Sequence, residues 1–263
     1  MALASRPDEA WGAADAYERV FAPLTGGAVA ALLDAAGPVG ALLDVGCGPG
    51  TVTAPALRRG WRVTGVDPSP AMLDRARVAA PAATLLPGAL PDLPVADADV
   101  DAAVASFVVN HLPDPLAGVR GLVRAARPGG RIAVTIWASG SSGMNRLLAA
   151  VLEDAGVPPL PGSRLPADRD FARTEAGLAG LLTAGGATDV TAGMLRWTWP
   201  VAADRLWLGV ESGITTAGLT YRAQDREGRD RIRAAFERRV AAEGGDVLRL
   251  DAVAVLGSGR RAG

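Results

Sequence analysis

Leu42-Leu43-Asp44-Val45-Gly46-Cys47-Gly48-Pro49-Gly50 is the stretch of the chain whose chemistry is easiest to read. A short apolar strand that turns through closely spaced glycines lets backbone N–H groups approach a ligand, because no Cβ stands in the way. Asp67 follows 17 residues beyond Gly50, at the end of Arg62-Val63-Thr64-Gly65-Val66-Asp67. In dinucleotide sites an acid about 20 residues past such a loop holds ribose hydroxyls. Turn and carboxylate together point to a nucleoside ligand at the carboxyl ends of two strands. The dinucleotide fingerprint Gly-x-Gly-x-x-Gly would need glycine where Thr51 stands. Here Gly46, Gly48 and Gly50 alternate with other residues, and Pro49 removes a donor from any pyrophosphate cradle. A glycine-rich turn with no ligand is the competing reading.

Those residues need a sheet to position them. Residues 8–36 read as helix, broken around Pro23 and Gly26–Gly27, with a second helix over 27–36. Strands are expected at 41–45, 62–67, 101–110 and 131–138, with helices at 68–80 and 116–127 between them. The run 101–110 is almost wholly apolar, as in a strand covered on both faces. This alternation specifies an α/β fold with a parallel sheet and right-handed crossovers. Past residue 138 the pattern changes to a helix at 144–156, a proline-rich connector, a helix at 174–184 and a strand at 188–199. A helical stretch at 203–243 and a last strand at 247–257 complete the chain, and the two late strands could be antiparallel neighbours.

Composition excludes several function classes. The 27 basic residues are all arginine and are offset by 28 acidic ones, giving a net charge of −1. No polyanion-binding excess exists, so no nucleic-acid partner is expected. Aspartates such as Asp34, Asp44 and Asp101 interrupt each long apolar stretch, so no spanning helix of about 20 residues is available. The first residues show no basic segment followed by an apolar block. One cysteine and one histidine allow neither an internal disulfide nor a zinc cage. A cytoplasmic protein with no membrane partner and no metal is expected.

Three segments carry a resemblance. LLDVGCGPG, VTGVDPSPAML and SFVVNHLPDP…RPGGRIAVTIW resemble the successive motifs of class I S-adenosylmethionine-dependent methyltransferases, in their small-molecule, secondary-metabolite branch. The resemblance covers residues 10–138 well and the remainder loosely. It implies a Rossmann-like, seven-stranded, mostly parallel sheet with an antiparallel last strand, helices on both faces and helical lid insertions. A single domain over 1–263 is expected, with 38–138 as the cofactor-binding core. Segments 1–37, 139–170 and 200–246 would serve as lid or substrate cover. The implied cofactor is S-adenosylmethionine, released as S-adenosylhomocysteine.

Carried over by position, the resemblance places Asp44 and the backbone of Gly46, Gly48 and Gly50 against the methionine portion. Asp67 would hold both ribose hydroxyls, and Pro68 and Met72 would pack on the adenine and ribose face. Ser106 and Phe107 would meet the amino-acid moiety and the sulfonium. Tyr17 and Trp11 match an aromatic N-terminal helix that lids the cofactor, with plain core packing as the alternative. Relatives carry an aspartate that accepts from the adenine amino group, where this chain has Gly88-Ala89-Leu90-Pro91. Backbone groups of Ala89 and Leu90 would meet the adenine edge instead, and Asp92 is a substitute three positions on. Loss of that charged hydrogen bond, worth about 1.5–3 kcal/mol, would weaken affinity without changing which cofactor binds.

His111, the only histidine, follows the fourth strand, where its near-neutral pKa would suit a general base. A purely structural role at a helix entry is the alternative. Cys47 has no partner base and reads as small-residue packing. Four of the six tryptophans fall at or after residue 137. Trp137, Met144, Asn145, Trp197 and Trp207, with Trp11, are the candidates to line a mostly apolar acceptor pocket. Trp197 and Trp199, two apart on a strand, share one face and could equally fill core. The mixed charges between Arg222 and Arg239 read as a solvated helix face.

Three functions compete at this point. Methyl transfer to a hydrophobic or aromatic small molecule, on oxygen, is the first. A cofactor-binding protein without methylating activity is the second, and a nicotinamide-dependent oxidoreductase the third. A monomer or a homodimer is expected.

Overall fold

The computed structural model describes residues 14–140, 142–162 and 165–263. They divide into two compact units.

The unit that carries the sheet comprises residues within Thr25–Ser139, Arg164–Leu195 and Val253–Gly263. Its parallel strands are β1 (Ala41–Val45), β2 (Arg62–Asp67), β3 (Thr84–Pro87), β4 (Val100–Ser106) and β5 (Ala126–Trp137). With β6 (Ala187–Ala202) and β7 (Val247–Arg261) the order is β3-β2-β1-β4-β5-β7-β6, and β7 runs antiparallel to β5. Between them lie a residue 14–26 helix (α1), α2 (Val29–Ala35), α3 (Thr53–Arg58), α4 (Pro70–Ala79) and α5 (Pro115–Ala125). The later helices are α6 (Gly143–Asp154), α7 (Glu175–Ala184), α8 (Ala203–Ser212), α9 (Thr216–Arg222) and α10 (Arg226–Ala242).

Successive strand residues point to opposite faces, and the burial follows that alternation. Leu42, Ala102, Val104 and Ala133 pack with Val29, Leu32 and Leu33 of α2 and Ala56 of α3. Leu43, Ala103, Ala105, Ile132, Val134 and Ile136 pack on the other face with Val119 and Leu122 of α5 and Leu178 and Leu182 of α7. Both faces are thus covered, and each fully buried leucine contributes about 1.5–3 kcal/mol. Asp114 caps α5 by accepting from Ala117 N at 2.9 Å, with Pro115 next in line.

The second unit comprises the described residues within Met1–Leu24, Gly140–Ser163 and Arg196–Ala252. Tyr17–Phe21 form a π-helical turn inside α1. A Cβ on Gly209 of α8 would stand 3.0 Å from Val20 Cγ1, so glycine allows the two helices to approach closely. Trp207 is 4% exposed between Tyr221 and Phe236, and its Nε1 donates to Glu211 at 2.8 Å.

The structure departs from the sequence reading at three elements. β3, for which no residue pattern was legible, is a short strand whose two middle residues are half-buried and whose end residues are exposed. The apolar run from 101 stops being strand at Ser106, because Phe107 takes a left-handed φ of +57° and the chain turns into a 3-10 helix at Val109–His111. The helical stretch 203–243 is three helices, broken at Gly213, with φ +76°, and at Asp225, which caps α10. No described helix is long and apolar enough to cross a membrane.

Candidate cofactor and acceptor site

The glycine turn starts directly from β1. Gly46, Gly48 and Gly50 have φ of +66°, +54° and +93°, a region that side chains with Cβ rarely adopt. A Cβ on Gly46 would lie 2.4 Å from Val108 Cγ2. The turn's donors are engaged inside the protein: Gly46 N and Cys47 N donate to Val66 O, Gly50 N to Cys47 O, and Gly48 N to Asp67. These amides brace the bend rather than await a pyrophosphate, which removes the physical basis of the nicotinamide reading. Cys47 is 3% exposed and burial pushes its thiol above the usual range, which fits a packing role.

Asp67 is 7% exposed. Its Oδ2 accepts from Gly48 N and its Oδ1 from Ser69 N, each at 2.9 Å. Burial raises its pKa, and these two bonds counter that rise. A carboxylate has about four lone-pair sites, so two backbone donors fix its plane and leave the rest for a pair of hydroxyls. Asp44, on the neighbouring parallel strand β1, is fully buried. Thr53 Oγ1 donates to its Oδ2 at 2.6 Å, while Oδ1 has no hydrogen-bond partner. Burial pushes Asp44 up to about 7, opposed by the Thr53 bond and assisted by the charge of Asp67. Asn110 Oδ1 is a second buried acceptor without a partner, after the adjacent strand β4. An unmatched acceptor on β1 and another on the turn after β4 suit a cationic amino group, and an acid braced beside a glycine bend suits a ribose. S-adenosylmethionine presents both.

Of the adenine-side candidates, Met72 is buried and Pro68 exposed. The Leu90 side chain packs in the core toward α5, so only the backbone of Ala89 and Leu90 is left to meet a base edge. At the ends of β4 and β5, Ser106 Oγ lies 3.2 Å from Thr135 Oγ1 and Phe107 N donates to Thr135 O at 2.9 Å. The Phe107 and Trp137 rings stack with centroids 4.1 Å apart. A bulky residue held at positive φ is strained, and such strain concentrates at functional sites. His111 keeps an exposed surface, yet the protein crowding it and the Arg173 guanidinium hold its pKa below that of free imidazole.

The same unit therefore brings together Asp44, Gly46, Gly48, Gly50, Asp67, Pro68, Met72, Ala89, Leu90, Ser106, Phe107, His111 and Trp137. Tyr17, Met144, Asn145, Trp197 and Trp207 belong to the second unit. There Tyr17 stacks on Phe21, Trp197 Nε1 donates to Leu24 O at 3.0 Å, and Met144 is buried. Asn145 lines a cavity of about 500 Å³ with Leu148, Leu152, Val157 and Ala217. Trp11 lies outside the described residues. Trp207, with its N–H satisfied among aromatic neighbours, is a core residue of its unit rather than a pocket wall. Sequence reasoning missed Thr53 and Thr135, whose only signal is a hydroxyl at an otherwise apolar position, and Arg173, which has none.

Residues 43–134 match the family model described as a methyltransferase domain. Over those residues the chain has the pattern of a methyltransferase domain. Malonyl-[acyl-carrier protein] O-methyltransferase of Serratia marcescens is 41% identical over 100 residues, 38% of this chain and 39% of that protein. The matched region spans about two-fifths of the length of the first curated relatives. The YcgJ protein of Bacillus subtilis shares the fold with a TM-score of 0.56 at 17% identity, over 90% of this chain and 98% of that one. Phosphoethanolamine N-methyltransferase 2 of Haemonchus contortus, in complex with S-adenosyl-L-methionine, shares it with a TM-score of 0.52 at 15% identity, over 89% and 52%. The methyltransferase domain includes the glycine turn, Asp67 and His111.

Proposed function

We propose that the chain binds S-adenosylmethionine and transfers its methyl group to an oxygen of a hydrophobic or aromatic small molecule. The observation that carries this reading is the braced, buried Asp67 carboxylate beside the glycine turn. Asp67 would hold the ribose hydroxyls, and Asp44 with Asn110 the methionine amino group. When bound, the cofactor supplies a methyl carbon already activated by a sulfonium.

The protein's task is then alignment and exclusion of water. Fixing nucleophile and electrophile in line is worth up to about 7–11 kcal/mol of barrier. The Phe107–Trp137 pair would form an apolar wall at the end of β4 and β5, and aromatic faces steady a sulfonium by about 0.5–2 kcal/mol each. His111, neutral at pH 7 because its pKa is lowered, would accept the acceptor's proton or hydrogen-bond to it. Transfer to oxygen is supported by the name of the Serratia relative. We place the protein in the cytoplasm, as a monomer or homodimer without nucleic-acid or membrane partners, over a single methyltransferase domain.

Ala89 and Leu90, standing where relatives present an adenine-binding acid, favour a second reading in which the cofactor is held without methyl transfer. Incubation with S-adenosylmethionine and a panel of phenolic, polyketide and carboxylic acceptors separates the two. Release of S-adenosylhomocysteine, read by mass spectrometry, is expected with at least one acceptor. Cofactor binding with no release across the panel selects the second reading, and absence of binding in calorimetry rejects both.

A further inference from the structure

Beside the carboxyl end of β5 the chain brings in Arg173, a residue that the methyl-transfer reading does not use. Ser139, two residues past β5, donates its N–H to Arg173 O at 2.7 Å, which ties the segment before α7 to the edge where His111 and Trp137 stand. The Arg173 side chain is 24% exposed. Its guanidinium lies over the Phe171 ring, 4.2 Å from the centroid, and Nη1 donates to Asp170 and to Phe171 O. An arginine fork has five donors, so that engagement fixes the plane of the group and leaves donors over. The charge of Arg173 acts on His111. Asp170 pairs with this arginine through Nη1. The Phe171 ring lies under this cation, and the stacked Phe107 and Trp137 rings stand at the ends of β4 and β5.

We infer that Arg173 and His111 recognise an anionic oxygen on the methyl acceptor, and that the acceptor is an apolar or aromatic carboxylic acid converted to its methyl ester. The inference rests on the methyltransferase reading above and narrows its substrate class. A carboxylate is ionised at neutral pH, so one of its oxygens forms the new bond to the methyl carbon without losing a proton. The sulfur–carbon bond breaks with its electron pair remaining on sulfur, and the positive charge of the sulfonium and the negative charge of the acid are both consumed. His111 then orients the anion as a neutral donor and takes no proton, while a guanidinium matches carboxylate geometry in a way that an ammonium does not. Arg173 is accordingly a specificity-determining residue.

The single histidine gives the test a clean probe, because its imidazole resonance is unique in the chain. The full-length protein, saturated with S-adenosylhomocysteine, is titrated with benzoate and separately with benzamide while the His111 pKa is followed by NMR. Benzoate is expected to raise that pKa and to bind at least tenfold more tightly than its neutral isostere. Arg173→Gln should raise the His111 pKa in the free protein and weaken benzoate at least tenfold, with Arg173→Lys intermediate. Equal binding of benzoate and benzamide, or no response of His111 to either, overturns the inference; the wild-type comparison stands even if a variant fails to fold. Failure to bind S-adenosylhomocysteine at the outset would instead count against the methyltransferase reading itself.

Discussion

Thr53 Oγ1 donates to Asp44 Oδ2 at 2.6 Å, and both side chains are wholly shielded from water. Thr53, which opens α3, supplies through its hydroxyl and its backbone the hydrogen bonds that favour the ionised form of a carboxylate that burial would otherwise keep protonated. Thr53→Val keeps the shape and removes the donor. A hydrogen bond to a charged group is worth about 1.5–3 kcal/mol, so cofactor affinity should fall about ten- to a hundredfold. Calorimetric titration with S-adenosylhomocysteine measures it, and an unchanged affinity would remove Asp44 from the site.

Asp44 also gives the free protein a definite pH response. Its native pKa, about 7, lies above its ordinary value of 3.8. Between those values the folded chain holds a proton that the unfolded chain has lost, so stability falls as pH rises through this window. The contribution is complete below about pH 3.8 and gone above about 7, and amounts to a few kcal/mol. A cationic amino group beside Asp44 favours its ionised form, so cofactor binding should release a proton near pH 6 and strengthen as pH approaches 7. Titration calorimetry in buffers of different ionisation heat reads the proton; a heat independent of buffer at pH 6 would contradict this account.

Gly46→Ala tests the turn itself. The new Cβ would sit 2.4 Å from Val108 Cγ2 at a backbone φ of +66°. The left-handed conformation alone costs about 1–2 kcal/mol for a residue with a Cβ, and Val108 must move as well. A lowered melting temperature and at least tenfold weaker cofactor binding are expected. A variant with both properties unchanged would show that the bend is not held as described.

His111→Ala should leave cofactor affinity within twofold of the wild type while lowering turnover at least tenfold with whichever acceptor is turned over. The separation follows from how the cofactor side is braced: the glycine bend and the Asp67 carboxylate are held by Val66, Gly48 and Ser69. Full turnover by the variant would assign the side chain a structural role only.

The strands that hold the cofactor were legible because each signals itself locally. β1 and β2 are short apolar runs ended by glycine or by an acid, and their partner helices start at proline or after a turn. β3 was not legible, since Thr84-Leu85-Leu86-Pro87 lies at the edge of the sheet and is only half buried, so no alternation marks it. The end of β4 was hidden for the opposite reason: Val108 and Val109 continue the apolar run into a turn that only Phe107's backbone reveals. Arg173 and His111 are brought to one edge by the fold across 62 positions, and no periodicity reports that. The tryptophans after residue 137 looked like one group by sequence, yet Trp137 stacks on Phe107 while Trp207 is enclosed by Tyr221 and Phe236.

The amides of Gly46, Cys47, Gly48 and Gly50 are all committed to β2, to Asp67 or to the bend. A visitor to this rim meets finished masonry and need not organise it, so little ordering entropy is lost on arrival. The same commitment is a filter: with its amides turned inward, the rim has little to offer a phosphate chain. Nucleotides abundant in any cell would then pass it by, and a sulfonium nucleoside lacking phosphates would not.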